Sequence, residues 1–202
     1  MRELSLHIMD IVENGIAAGA TLIQITITED IKGNRLKIEI QDNGRGIPGE
    51  KMEKVMDPFY TTRTTRRVGL GLSLFKEASR RCEGEFRLTS EEGKGTEVLA
   101  TFRRNHIDLA PFGDMAGSLT SLIMGNPDVD FLYTHRVGEE DLVIDTREIK
   151  NALDGLTIND PHVIKYISDM IRESITELRA GKPALQETPE DTQDDPRIDE
   201  SS

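Results

Sequence analysis

A single cysteine, Cys82, stands in 202 residues, so an intrachain disulfide and a thiolate zinc cluster are both excluded. Cys82 is expected to pack as a small apolar residue near a helix end. No run of about 18 apolar residues occurs, which argues against a membrane-spanning helix. The first residues include Glu3 and Asp10 and lack a basic-then-apolar leader pattern, so a cytoplasmic location is expected. No internal repeat is visible, and no spacing of His, Cys and carboxylates suggests zinc. Positive charge is also scarce, with a net charge of −12. Residues 1–105 carry 17 Lys/Arg against 16 Asp/Glu, residues 106–181 carry 6 against 14, and residues 182–202 carry 2 against 7. That balance argues against nucleic acid as the main partner. It suits an acidic surface that docks a basic patch on another protein, although solubility alone would also account for it.

What is present divides near residue 104. "SLHIMDIVENGIAAGAT" reads as a helix stopped at Gly19, with His7, Asp10 and Asn14 within about 60° of one another on one stripe. "LIQITIT" and "LKIEIQD" alternate as half-buried strands with Ile23, Ile25 and Ile27, then Leu36, Ile38 and Ile40, facing inward, joined by the turn "IKGNR". Residues 43–69 are loop-rich, with a short helical pattern over 50–55. "LGLSLFKEASRRCEG" is a second helix closed by Gly84, and "EFRLTS" and "TEVLATFRR" are strands around the turn "EEGKG". The order α-β-β-loop-α-β-β predicts an α+β sandwich with helices on one face of a sheet. Beyond Arg104, "GDMAGSLTSLIMG", "REIKNAL" and "PHVIKYISDMIRESITELRA" read as helices, "DFLYTHRV" and "DLVIDT" as strands. Val163, Ile167, Met170, Ile171, Ile175 and Leu178 form an apolar stripe that must cover either the first domain or another subunit. The expected organisation is a first domain over 1–104, an acidic α/β extension for docking or dimerisation over 105–181, and a disordered acidic tail over 182–202.

Several residues carry chemistry. Period two puts Asp42 on the buried side of its strand, where a carboxylate needs a donor. "DNGRGI" follows at once, and its glycines Gly44 and Gly46 permit close approach to a flat ligand such as a purine. A self-satisfied Asp-Asn-Gly turn is the alternative. Gly69 and Gly71 open a helix whose first amides favour an anion, and Arg63, Arg66 and Arg67 precede it. Thr96 is in phase with Val98, Ala100 and Phe102, so it faces the same way as Asp42 and could share a water with it beside a purine. Asp10 and Asn14, one turn apart, present two hard oxygen donors of the kind Mg²⁺ accepts while keeping water and phosphate oxygens. A plain solvent face would read the same way in isolation.

Taken in order, "HIMDIVENGIAAGAT", "DNGRGI", "DPFYTTR", "GLGLSL" and "GKGTEV" resemble the five boxes of the ATPase superfamily shared by histidine kinases, gyrase B, the MutL mismatch-repair protein and a heat-shock chaperone. The resemblance spans about residues 4–104. It implies a two-layer α/β sandwich of Bergerat (GHKL) type with a mixed sheet, here followed by the C-terminal α/β extension, binding Mg-ATP under a mobile lid. It also implies Asn14 as Mg²⁺ ligand, Asp42 as acceptor from the adenine amino group, and Thr96 as its support through water. Gly44 and Gly46 would admit the base, Gly69, Leu70, Gly71 and Leu72 would offer backbone to the phosphates, and Phe59 would anchor the lid. Arg63 and Arg67 of the lid, with Asp10, would complete the catalytic set.

The chain departs from the family in two places. Hydrolytic members carry Glu where this chain has Asp10, shorter by one methylene, and the upstream helical region that bears the acceptor histidine of histidine kinases is not matched here. His106, in "HIDLAP", is a remote candidate acceptor, with a plain linker histidine as the alternative. Three functions follow: an ATP-dependent kinase acting on a separate protein, an ATPase switch, or a nucleotide-sensing module of the anti-sigma kind. A homodimer is compatible with each.

Overall fold

Every second residue of "LIQITITED" is apolar until the last turn of the pattern, and β1 (Leu22–Asp30) buries Ile23, Ile25 and Ile27 accordingly, with Glu29 continuing in the same phase. The computed structural model describes residues 3–52, 55 and 70–185. β1 pairs antiparallel with β2 (Arg35–Asp42), placing Ile25 opposite Ile40 and Ile23 opposite Asp42. β4 (Gly95–Arg103) runs antiparallel to β2 with Thr96 opposite Asp42, and β3 (Phe86–Glu91) pairs with β4 at the edge.

The C-terminal half joins this same sheet. β5 (Asp130–Val137) lies parallel to β1, with His135 opposite Ile27, and β6 (Glu140–Asp145) pairs antiparallel with β5. The strand order is therefore β3-β4-β2-β1-β5-β6, one mixed six-stranded sheet with members from both sides of residue 104. α1 (Leu4–Ala17) and α2 (Leu70–Arg81) cover the β2–β4 side, and α3 (Met115–Gly125) and α5 (Pro161–Arg179) continue the helical layer toward β5 and β6. α4 (Thr146–Ala152) packs on β5, and the Thr146 hydroxyl accepts from the Phe131 amide at 2.7 Å. The apolar stripe of α5 is thus covered within the chain, with Val163, Ile167 and Ile171 in the continuous core.

Two local expectations differ from what forms. α2 ends at Arg81, and the left-handed residue after it is Glu83 (φ 54°), not Gly84. Gly84 is needed for another reason: a side chain there would overlap the Thr101 carbonyl of β4. The expected tail does not begin at Lys182, because Lys182 pairs with Glu140, Arg104 donates to the Pro183 carbonyl, and Leu185 packs against the core. The remainder of that tail lies outside the described residues. Cys82 is buried near the end of α2, as expected.

Candidate functional site

Four glycines bring the site together by letting backbone approach where a side chain would block it. A methyl group on Gly15, in the last turns of α1, would lie 3.0 Å from Asp42 Cβ. One on Gly44 would lie 2.9 Å from Asp42 Oδ1, and one on Gly95 (φ 104°) would overlap the Asp42 carbonyl. One on Gly71, in the first turn of α2, would lie 2.9 Å from Asp10 Cβ. The glycines therefore set α1, β2 and β4 closely together at Asp42, and α1 against α2 at Asp10, and sheet register sets Thr96 opposite Asp42.

Asp42 ends β2 half-buried on the helical side. The Gly44 amide donates to its Oδ1 at 2.8 Å. Burial pushes the Asp42 carboxyl above the usual aspartate value, and the amides of Gly44 and Thr96 oppose that shift. A carboxylate in this state gains from a further donor, which is what an exocyclic amine supplies. Asn43 fixes the next step of chain: its Oδ1 accepts from the amides of Thr21 and Leu22 at 2.9 Å each, and its Nδ2 donates to Thr21 Oγ1 at 2.9 Å. Gly46 (φ 67°) packs the loop onto the β3–β4 turn, where a side chain would overlap the Glu91 carbonyl.

On α1 the opening stripe splits by environment. His7 is buried and stacks on Phe75 of α2 with ring centroids 5.2 Å apart. Burial holds its imidazole down to about 4, so it is neutral near pH 7. Its Nδ1 has no hydrogen-bond partner among the described residues. Asp10 is half-buried against Gly71 at the start of α2, and Asn14, one turn further along α1, is exposed. Leu70, Gly71 and Leu72 form the first turn of α2. Phe59, Arg63, Arg66, Arg67 and Gly69 lie outside the described residues.

The residues present suit Mg²⁺ with a nucleotide. Among the described residues no cluster of three or more His, Cys, Asp or Glu could hold a metal. The Asn14 side-chain oxygen is a single hard donor, so an Mg²⁺ held there would complete its shell with phosphate and water oxygens. His106 is not part of this site. It follows β4 at the end where Arg103 faces Arg35, seven residues or roughly 23 Å along the strand from Thr96 and Asp42. There its Nδ1 accepts from the Asp108 amide at 3.1 Å, the behaviour of a linker histidine.

Some functional positions have signals that sequence reasoning passed over. Gly15 inside a helix costs about 1 kcal/mol relative to Ala, a sign of a packing demand. Ser90 alternates with Phe86 and Leu88 toward the helical side, and so meets Thr96.

Comparison with known proteins agrees with this geometry. The family model described as histidine kinase-, DNA gyrase B-, and HSP90-like ATPase matches residues 2–106. A sensor protein kinase WalK of Staphylococcus haemolyticus (strain JCSC1435) is 35% identical over 95 residues, which are 45% of this chain and 16% of that kinase. Sporulation kinase C of Bacillus subtilis (strain 168) is 32% identical over 94 residues, 46% of this chain and 22% of the kinase. The chain thus spans under a quarter of the length of these relatives. The crystal structure of the N-terminal domain of a DNA repair protein shares the fold, with a TM-score of 0.50 and 21% identity over 71% of this chain and 52% of that one. No helix among the described residues is long and apolar enough to cross a membrane. On the family match over half its length, supported by the mixed six-stranded sheet, this chain belongs to the histidine kinase-, DNA gyrase B-, and HSP90-like ATPase family.

Proposed function

We propose that the chain binds Mg-ATP between α1, the end of β2 and the start of α2, and passes the γ-phosphoryl group to a separate protein. The observation that carries this reading is Asp42. It is a half-buried carboxylate in register with Thr96, walled by glycine backbone, in a member of an ATPase family whose matched relatives are kinases. Asp42 accepts from the adenine amino group, and Thr96 supports the base through water. Gly44 and Gly46 shape the base side. The first-turn amides of α2, at Leu70, Gly71 and Leu72, receive the phosphates, together with Gly69 just ahead of them in sequence. Asn14 would hold Mg²⁺, which would supply charge neutralisation at the phosphates. Arg63 and Arg67, which precede α2 in sequence, supply positive charge. In transfer, the bond from the γ-phosphorus to the β–γ bridging oxygen breaks, ADP leaves, and the acceptor's nucleophile forms the new bond.

A separate acceptor fits the described histidines. His106 is at the far end of the sheet, His135 is buried against Glu29, His7 is buried and neutral, and His162 is exposed at the start of α5, where it pairs with Asp160. The acidic half of the chain is the proposed contact for that partner, or for a second copy. A hydrolytic switch is the second reading. It is favoured by the approach of α2 to Asp10 across the bare Gly71, which offsets part of the missing methylene. Incubation with γ-labelled ATP and Mg²⁺, with and without cell lysate, separates the two for the unaltered chain, Asp10→Asn and Asn14→Ala. Label on a second protein, lost in Asn14→Ala, is the expected result. Phosphate release lost in Asp10→Asn, with no labelled protein, favours the switch. Nucleotide binding with neither outcome overturns both and leaves a sensor.

A further inference from the structure

Ser90 holds a hydrogen-bond junction whose proton count fixes the character of Thr96. Its Oγ is 2.8 Å from the Gly95 carbonyl, 2.9 Å from the Ile47 amide nitrogen and 2.9 Å from Thr96 Oγ1. A carbonyl only accepts, so the one hydroxyl proton of Ser90 goes to Gly95. An amide N–H only donates, so Ser90 receives a proton from Ile47. With its own proton committed, Ser90 can only accept from Thr96, and the Thr96 hydroxyl proton points at Ser90. Thr96 Oγ1 is then left with lone pairs toward the site. Directly across the β2–β4 pair stands the Asp42 carboxylate, also an acceptor. Residues opposite each other in such a pair have Cβ atoms about 4.5–5.5 Å apart, the width of a base edge.

We infer that Ser90 is a specificity-determining residue of the nucleotide site: by taking the Thr96 proton it keeps the base end acceptor-only, and so selects a 6-aminopurine over a 6-oxopurine. This rests on the nucleotide reading above. A 6-amino group donates into that edge. At position 6 a 6-oxo group would bring a third acceptor to two others, and the proton such a base carries, on N1, lies one ring atom away from that position. Ser90 also ties the loop at Ile47 to β3 and β4, so the glycine loop and Thr96 are positioned by one hydroxyl.

The test is the ratio of IDP to ADP dissociation constants, measured by titration calorimetry on the full chain with Mg²⁺. Ser90→Ala frees the Thr96 proton to turn toward the base, and the ratio should fall about 2- to 10-fold, the range of one hydrogen bond. Ser90→Thr retains the hydroxyl and should keep the unaltered ratio. In a Thr96→Val background, Ser90→Ala should leave the ratio unchanged, which a merely structural role of Ser90 would not produce. Should Ser90→Ala fail to fold, Thr96→Val alone must lower the ratio. An unchanged ratio in folded Ser90→Ala, or in Thr96→Val, overturns the inference while leaving nucleotide binding intact. Absence of ADP binding by the unaltered chain overturns the nucleotide reading and this inference with it.

Discussion

Glu29 is the point at which the two halves of the chain are joined by charge. It is fully buried at the end of β1, opposite Leu36 in β2 and Val137 in β5. Its Oε1 is 3.0 Å from His135 Nε2, its Oε2 is 3.4 Å from Arg104 Nε, and Arg179 Nη2 lies 3.7 Å away. Tyr133 reaches the other nitrogen of His135 at 3.0 Å, and Arg179 also sits over the Phe112 ring at 5.2 Å. Burial alone would raise the Glu29 carboxyl, but the His135 hydrogen bond and the charges of Arg179, His135 and Arg104 bring it below the ordinary glutamate range. Glu29→Leu leaves the buried guanidinium of Arg104 without this counter-charge, and breaking a buried ionic pair from one side costs about 3–5 kcal/mol. For a domain of this size that is a drop in Tm of roughly 6–20 °C. Glu29→Gln keeps an acceptor for His135 and should lose less. Glu29→Leu combined with Arg104→Met should recover part of the loss, because no charge then stays buried alone. Urea unfolding measures all three. ADP affinity should not change, since Glu29 is six residues, roughly 20 Å, along β1 from the position facing Asp42. Glu29→Leu within about 1 kcal/mol of the unaltered chain would refute the reasoning.

Two further outcomes follow from α1. The His7 imidazole is held down to about 4 in the fold against an ordinary 6.5, so the stability it represents is complete above pH 6.5 and is lost as pH falls from there toward 4. Denaturant titrations should show a decline on the order of 2 kcal/mol across that window from this group, flattened in His7→Phe; identical slopes for both proteins would contradict it. Gly71→Ala pits a helix-propensity gain of about 1 kcal/mol against a contact of 2.9 Å with Asp10 Cβ. Its stability should therefore stay within about 1 kcal/mol of the unaltered chain while turnover of γ-labelled ATP falls at least several-fold; equal turnover would show that the α1–α2 spacing is not what sets Asp10.

The strands were legible because each buries one face. Period two through Leu36, Ile38 and Ile40 delivered Asp42 to the helical side, and the same period through Val98 delivered Thr96. It also carries Glu29 inward behind Ile27, a buried charge that the alternation alone would have exposed to view. What could not be read locally are contacts made at long range. Nothing in "DFLYTHRV" says that it inserts parallel beside β1, or that His135 will meet Glu29 106 positions away. Gly84 reads as a helix stop because glycine commonly ends helices, whereas its position answers to a carbonyl on β4. The split of the α1 stripe into a buried His7 and an exposed Asn14 likewise depends on where α2 lands, which helical periodicity does not encode.

The central claim is that Asp42 recognises the base of a bound nucleotide, and titration of Mg-ADP into the unaltered chain and Asp42→Asn tests it most directly. A hydrogen bond to a charged acceptor is worth about 1.5–3 kcal/mol, so Asp42→Asn should weaken ADP at least about tenfold. Because burial raises the Asp42 carboxyl, the affinity of the unaltered chain should also fall on acidification from above the ordinary aspartate range, and Asp42→Asn should lack that component. No ADP binding by the folded, unaltered chain, or equal affinity in Asp42→Asn, would contradict the account.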